Sequence, residues 1–505
     1  MLTTLIPPSG TNADRSVATG ILAALGVSEV ANDTAELDLY DTPDRRLLAA
    51  GLALVRRGRL LALQHSAELG GESVLATHSL RSASPPRLLG RWPAGDLLER
   101  LRPVVRERAV VQLWACTVDR FEGVLCDDLG KVVVRLAASI AAHRQGPPRL
   151  WLEVDGLRGY AREQQGVIKA VLARGWSLSA ASPLTTLVAD GIGPDPGKEP
   201  DFNDGAMTSG LALRACLRRC LERLEPLEQG VVEDIDSEFL HQQRVVLRRV
   251  RSLTTQFRSV FAEDEAFRIR AILAGWARRS NTVRDLDVWL AARDEHAALV
   301  PAQLRPGLDA LFTSLQRERT AAQRVLAKSL ASAAHRDERR ELARLLDKAV
   351  DGPDAALPLA TLAARRTWKT YRRVAVEGGA VDATTPAAAV HQVRIRCKKL
   401  RYLLDACGRF TAAQEHQALR EELKAVQAVL GAFNDISLQT SALLSWAEGR
   451  TAGAPTLLAI GALLGALDRR RADLHDQLML ALGELTSSAT KNRYRRLFRV
   501  RKEHI

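Results

Sequence analysis

Residues 241–257 (HQQRVVLRRVRSLTTQF) and 391–405 (HQVRIRCKKLRYLLD) are two versions of one segment, 150 positions apart. The offset pairs His241 with His391, Arg244 with Arg394, Arg248 with Lys398, Arg249 with Lys399 and Arg251 with Arg401. Further along it pairs Leu273 with Leu423 and Asp285 with Asp435, still without a gap. Such a correspondence marks a tandem repeat of two helical units. With each helical residue advancing about 100°, Arg244, Arg248 and Arg251 lie within roughly 80° of His241. Val246, Val250, Leu253, Phe257 and Phe261 fall on the opposite side. In the second copy His391, Arg394, Lys398, Arg401 and Tyr402 share a face, opposed by Val393, Leu400, Leu403, Leu404 and Cys407. Arg396 projects toward the apolar side and must snorkel or pair.

A solvated helix face usually interleaves Glu at i±4 to offset repulsion among like charges. Here no acidic residue occurs from His241 to Phe261, and only Asp405 occurs from His391 to Phe410. Adjacent like charges cost ~0.2–0.5 kcal/mol per pair, so two helices that both carry this cost are predicted to meet an anion. Arg offers forked donors to phosphate oxygens, Lys a point charge, and imidazole a donor whose charge grows as pH falls. Tyr402 is the only aromatic residue in the two stripes. The surface thus lacks the base-stacking platforms of single-stranded nucleic-acid binders, which favours inorganic polyphosphate over RNA or DNA. A nucleic acid held by the same surface is the alternative. Asp285 and Asp435 read as helix N-caps whose carboxylates orient a neighbouring Arg; no nucleophile–base pair stands near them.

Working outward, charge separates the chain into halves. Residues 1–200 hold 23 Lys+Arg against 22 Asp+Glu, which leaves 49 against 37 for residues 201–505. Nearly all of the +13 formal charge therefore belongs to the C-terminal part, pointing to a polyanionic partner. Residues 1–190 are predicted strand-rich, with strands near 35–39, 52–57, 110–117, 131–136 and 150–154 and helices near 15–25 and 166–174. Residues 191–205 (GIGPDPGKEPDFNDG) read as a linker. From 206 onward the pattern is almost all helix, in two repeats of about 206–350 and 351–500, with breaks near 231–236, 301–306, 351–358 and 377–386. Six cysteines without a CxxC pair suit a reducing compartment with buried thiols, and no ligand spacing suggests a metal site. With neither a secretory signal nor an apolar run of ~20 residues, a soluble cytoplasmic protein is expected, without a cofactor and of unspecified oligomeric state.

The repeated segments, together with TVRDLDVWL (282–290) and LKAVQAVLGAFNDI (423–436), resemble the CHAD domain, the conserved-histidine α-helical domain, across about residues 206–500. The resemblance implies two pseudo-symmetric antiparallel helical bundles flanking a basic cavity, polyphosphate binding and association with polyphosphate granules. It makes His241, Arg244, Arg248, Arg251, His391, Arg394, Lys398 and Arg401 the binding candidates. Arg317, Arg324, Arg365 and Arg372 join them from helices that the family also uses for basic contacts.

The segments LDLYDTPDRRLLAAGLALVRR (37–57), DDLGKVVVRL (127–136) and LWLEVDG (150–156) resemble a CYTH or triphosphate-tunnel domain. That resemblance implies an antiparallel β-barrel whose lumen binds triphosphate, with acidic residues holding a divalent metal. The overall class is then α+β: a degenerate CYTH-like barrel followed by an all-α CHAD domain. The chain departs from the tunnel pattern where chemistry would live. Residues 1–14 lack the Glu-x-Glu-x-Lys strand, Val55 stands where an Arg is expected and Gln64 where a Lys is expected. Glu153 remains and Asp155 is a substitute carboxylate. With the carboxylate set depleted, no catalytic residue is assigned, and a metal-dependent triphosphatase in the barrel is the enzyme alternative to a binding protein.

Overall fold

A computed structural model describes the chain except residues 1, 28, 70–73, 83, 144–146, 181, 193–205, 348–351, 383, 409–412, 450–451 and 500–505, and gives only the backbone of Glu68, Cys407 and Ala413. Contacts divide it into two compact units, Met1–Asp195 and Pro196–Ile505. Of the expected linker, Gly191 ends a helix and residues 193–205 lie outside the described residues.

The first unit runs β1 (Thr3–Ile6), α1 (Arg15–Ala24), β2 (Ala31–Asp41), α2 (Arg46–Ala49), β3 (Leu52–Arg57), β4 (Leu60–His65) and β5 (Val74–Ser79). It continues with α3 (Asp96–Val105), β6 (Val111–Cys126), β7 (Val132–His143), β8 (Arg149–Gly156), α4 (Ala161–Leu172), β9 (Ser177–Leu178) and α5 (Pro183–Gly191). The strands pair antiparallel in the order β5-β4-β3-β2-β6-β7-β8-β1-β9. This corrects the expected barrel: the sheet is open, with β5 and β9 as edges. A barrel needs a continuous ladder around its circumference, whereas β9 offers two residues, both spent on Leu5 and Ile6 of β1.

Period-two alternation sorts the strand side chains onto two faces. Leu54 and Leu61 pack with Leu97 and Leu101 of α3, while their neighbours Ala53 and Val55 lie with Trp114, Trp151, Leu184 and Leu187 beneath α5. On β8, Leu152 and Val154 meet α1 and α4. Asp41, from the YDTPD run, is buried and accepts the amide N–H groups of Thr42, Leu47 and Leu48 at 2.6, 2.8 and 2.9 Å. Burial pushes its carboxyl up to about 6 against those hydrogen bonds. The motif thus secures the start of α2.

The second unit is helical: α6 (Ser209–Val232), α7 (Ser237–Gln256), α8 (Glu263–Arg279), α9 (Asn281–Ala291), α10 (Arg293–Leu299), α11 (Leu308–Leu330) and α12 (Ala333–Asp347). Then come α13 (Leu359–Gly379), α14 (Ala387–Cys407), α15 (Ala413–Glu448), α16 (Ala454–Thr486) and α17 (Ser488–Phe498). The starts of α6, α7 and α8 precede those of α13, α14 and α15 by 150 residues each. The register is lost afterwards, since Ser280 divides α8 from α9 while α15 runs unbroken for 36 residues. Just ahead of α6 and α13, Thr208 and Pro358 form an antiparallel bridge. Ser209 donates its N–H to the Leu357 carbonyl at 2.8 Å, and Leu359 donates to Met207 at 3.0 Å.

The first half is pinned by Arg214 of α6, which pairs with Glu265 of α8 at 2.6 Å, both side chains being almost fully buried. Such a pair stabilises mainly by not being broken, because either partner alone would be an uncompensated buried charge. A further core joins Leu311, Phe312 and Leu315 of α11 to Ile436, Leu443, Ile460 and Leu463 of α15 and α16.

Gly352 tests the connection between the halves. A Cβ there would meet the Val260 carbonyl carbon at 2.5 Å and the Phe261 oxygen at 2.6 Å, backbone atoms that cannot swing aside. Gly352→Ala is expected to destabilise the protein by about 1–3 kcal/mol. Gly461→Ala, inside α16 with nothing within 4 Å, should stabilise it by roughly 0.5–1 kcal/mol. Denaturant unfolding of both variants checks the opposite signs.

Candidate anion-binding site

His241 and His391 occupy equivalent places one turn into α7 and α14. The apolar faces sit as the periodicity predicts, with Val246, Val250, Leu253 and Phe257 buried on one helix and Val393, Leu400, Leu403 and Leu404 on the other. Phe257 and Phe261 lie beyond the last turn of α7, flanking a 3₁₀ turn at Arg258–Val260. On the cationic sides Arg248 and Arg251 are exposed, and Arg244, Arg394, Lys398 and Arg401 are half-buried. Arg396, the residue out of pattern, pairs with Glu377.

The two stripes meet. Gln256 of α7 donates its Nε2–H to the Lys399 carbonyl of α14 at 3.2 Å. Burial, then the charges of Arg394 and Arg248, push the Lys398 ammonium down to about 8, with Arg401 adding to the effect and Asp435 opposing it. Cations of both copies therefore act on one ammonium. Burial and Arg248 likewise hold the Arg244 guanidinium below its ordinary value. Among the described residues Arg248, Arg251, Lys398 and Arg401 form no ion pair. The Nε–H groups of Arg244, Arg394 and Arg401 are buried without an acceptor, an arrangement that is costly unless an acceptor arrives.

Second contacts orient the rest. His391 Nδ1 faces the Asn434 side-chain oxygen, which fixes the orientation of the ring. Arg244 donates through Nη1 to Ser280 Oγ and Asn281 Oδ1 at 2.8 Å each, and to the Ala277 carbonyl at 3.2 Å. Its counterpart Arg394 has Asp435 at 3.7 Å. Asp285 and Asp435 are not N-caps: they lie inside α9 and α15, where the helix amides are already bonded to carbonyls. Their other expected role, a carboxylate beside an Arg, has Asp435 next to Arg394 and the charge of Asp285 favouring the Arg244 guanidinium. Arg317 and Arg324 are exposed on α11, Arg372 is exposed on α13 and Arg365 is half-buried there. No hydrogen bond or ion pair among the described residues ties these four to the α7–α14 cluster.

Residues 215–444 match the family profile described as CHAD domain. They form a CHAD domain. The CHAD match supports a polyphosphate-related role at family level. Among solved structures, the CHAD domain from the plant Ricinus communis is 24% identical, covering 57% of this chain and 96% of its own, with a TM-score of 0.48. PptA from Streptomyces chartreusis is 18% identical, with coverages of 55% and 99% and a TM-score of 0.42. An adenylate cyclase candidate from Bacillus halodurans is 13% identical, with coverages of 34% and 87% and a TM-score of 0.23. No curated protein matches the chain.

Around the CHAD domain's basic cluster are residues that the repeat did not single out. A cavity of about 110 Å³ opens between α7 and α8, lined by Arg251, Thr254, Thr255 and Arg270. Arg278 acts on Arg251 there, with burial the larger cause in lowering the Arg251 pKa. The 150-residue offset equates Arg270 with Arg420, a signal present in the sequence. Arg420, however, is engaged by Asp405 at 2.7 Å. Arg278 corresponds to Ala428 and had no such signal.

In the first unit, Val55, Gln64 and Glu153 all line one cavity. Its only carboxylate among the described residues, Glu153, is engaged by Arg120. Among the described residues no group of three or more His, Cys, Asp or Glu gathers as a metal site. The donor set does not fit the divalent metal of the tunnel family.

The crowding of Lys398 has a direct test. Removing the repulsion with Arg248→Met should raise the Lys398 pKa above its value of about 8, and Asp435→Asn should lower it. Titrating the lysine ammonium signals by NMR reads both shifts, and shifts of equal sign would contradict the geometry.

Proposed function

We propose that the CHAD domain binds inorganic polyphosphate along the cluster of Arg244, Arg248, Arg251, Arg394, Lys398 and Arg401, with His241 and His391 at its ends. The observation that supports this reading is the contact of α7 with α14, where Gln256 donates to the Lys399 carbonyl at 3.2 Å and unpaired cations of both repeats stand near enough for Arg248 to lower the Lys398 pKa. A phosphate polymer relieves that repulsion and supplies acceptors to the buried Nε–H groups of Arg244, Arg394 and Arg401. Arg317, Arg324, Arg365 and Arg372 extend the surface for longer chains.

The two repeats are pseudo-symmetric halves in this reading. Its support is that the Thr208–Pro358 bridge pairs residues separated by the same 150 positions as the repeat. Contact between equivalent residues is what a two-fold axis between the repeats produces. A site built on that axis is two-sided and suits an extended, repetitive anion better than a compact one. The protein then acts in the cytoplasm by attaching to polyphosphate granules. No described helix is long and apolar enough to cross a membrane. It works by binding rather than by catalysis, since Glu153, the carboxylate a triphosphatase would need, is already engaged by Arg120.

Titration with polyphosphates of graded length tests the proposal. Long chains should bind far more tightly than tripolyphosphate. Affinity should fall with salt at a log–log slope of about −4 if some six phosphates are contacted. Arg248→Glu combined with Lys398→Glu should abolish binding with little change in melting temperature; a large drop would mark the pair as structural. RNA displacing polyphosphate at equal charge concentration would favour the nucleic-acid alternative. Because Lys398 loses its proton near pH 8, affinity should also decline between pH 7 and 9, and Lys398→Arg should flatten that decline.

A further inference from the structure

The concave face of the N-terminal sheet encloses a cavity of about 240 Å³. For scale, an apolar cavity of about 150 Å³ admits benzene. Its wall is mostly hydrocarbon, with Leu37, Val55, Val118 and Leu184 around the Trp151 ring. Two guanidiniums reach it, and neither is available to an anion. Arg120 is held by Glu153 and by Glu122, the latter at 2.6 Å; burial works against its charge, but the two carboxylates more than offset burial and raise its pKa. Arg57 is paired with Asp33 at 2.8 Å. Desolvating a triphosphate here would therefore meet no uncommitted positive charge.

Among the described residues of this wall, one buried polar group is uncommitted. Ser139 of β7 is fully buried, and its Oγ has no hydrogen-bond partner. A buried hydroxyl without a partner is a cost that native structures rarely tolerate, and Ser139 faces the cavity. From the orphaned Ser139 hydroxyl, the neutralised arginines and the apolar wall, we infer that this cavity is a binding site for a small, neutral, largely apolar molecule. Its ligand carries a planar ring system against Trp151 and one hydroxyl or carbonyl group that bonds Ser139 Oγ. The site is independent of the polyphosphate reading, because it lies wholly within the first unit.

The full-length protein, 1-naphthol and naphthalene suffice as a test. One 1-naphthol should bind saturably per chain and quench tryptophan emission. Ala62→Phe, which pushes a ring into the cavity, should weaken binding by about tenfold or more. Ser139→Ala should weaken 1-naphthol by about fivefold, the equivalent of one neutral hydrogen bond, and leave naphthalene unchanged. Arg248→Glu with Lys398→Glu should change neither. Absence of saturable binding, displacement of 1-naphthol by tripolyphosphate, or equal loss of both probes in Ser139→Ala would overturn the inference. Should Ala62→Phe fail to fold by circular dichroism, the Ser139→Ala comparison decides alone.

Discussion

Repulsion among like charges held close together is the constraint around which the helical unit is organised. Lys398 sits half-buried between Arg394 and Arg401 on its own helix and Arg248 on α7, and its depressed ammonium registers all of them. A free chain would spread such charges apart. Here the opposite faces of α7 and α14 do not allow it, because Val246, Val250, Val393 and Leu400 are locked into the core. Burying side chains of that size stabilises by ~1.5–3 kcal/mol each, well above the few tenths that each pair of adjacent like charges costs. Hydrophobic packing therefore holds the cations in a geometry they would not choose, and leaves a charged surface able to gain from an anion.

The two copies achieve this with different supporting contacts. Arg394 has Asp435 within 3.7 Å, whereas Arg244 donates to neutral groups, Ser280, Asn281 and the Ala277 carbonyl, with the charge of Asp285 acting on it without an ion pair. The neutral set is available because the first repeat breaks its helix at Ser280, freeing a helix end that the continuous α15 does not have. Both arrangements keep Nε without an acceptor. Equivalent cations have been kept in equivalent places while the scaffold around them diverged.

The N-terminal unit shows the reverse case, a concavity whose charged side chains are already paired. Alternation along β3, β4 and β8 still turns Val55, Gln64 and Glu153 into one concavity, but the positions that would carry cations hold an aliphatic and an amide. What remains charged is paired internally. The YDTPD run, which carries much of the resemblance, serves folding through the Asp41 hydrogen bonds to α2. Resemblance in a sequence motif and suitability for the family's ligand are separate properties here.

Much of the helical unit was legible in the sequence because its information is local. Helix periodicity assigns a face to every residue from its neighbours alone, so the buried faces of α7 and α14, the helix breaks near 231–236, 301–306, 351–358 and 377–386 and the odd position of Arg396 could be read directly, though not the break at Ser280. The 150-residue offset added a second local signal, and the starts of three successive helices obey it. Cysteine burial was legible too among the described side chains, with Cys116, Cys216, Cys220 and Cys397 buried and Cys126 exposed. What depends on distant parts of the chain was not. Sequence could not show that β9 ends after two residues and leaves the sheet open, because closure depends on the pairing of edges far apart in the chain. Nor could it place Asp285 and Asp435 in mid-helix, seat Arg278 beside Arg251, or leave Ser139 without a partner. Composition and period fix which way a side chain points, while only the packed tertiary structure decides what it points at.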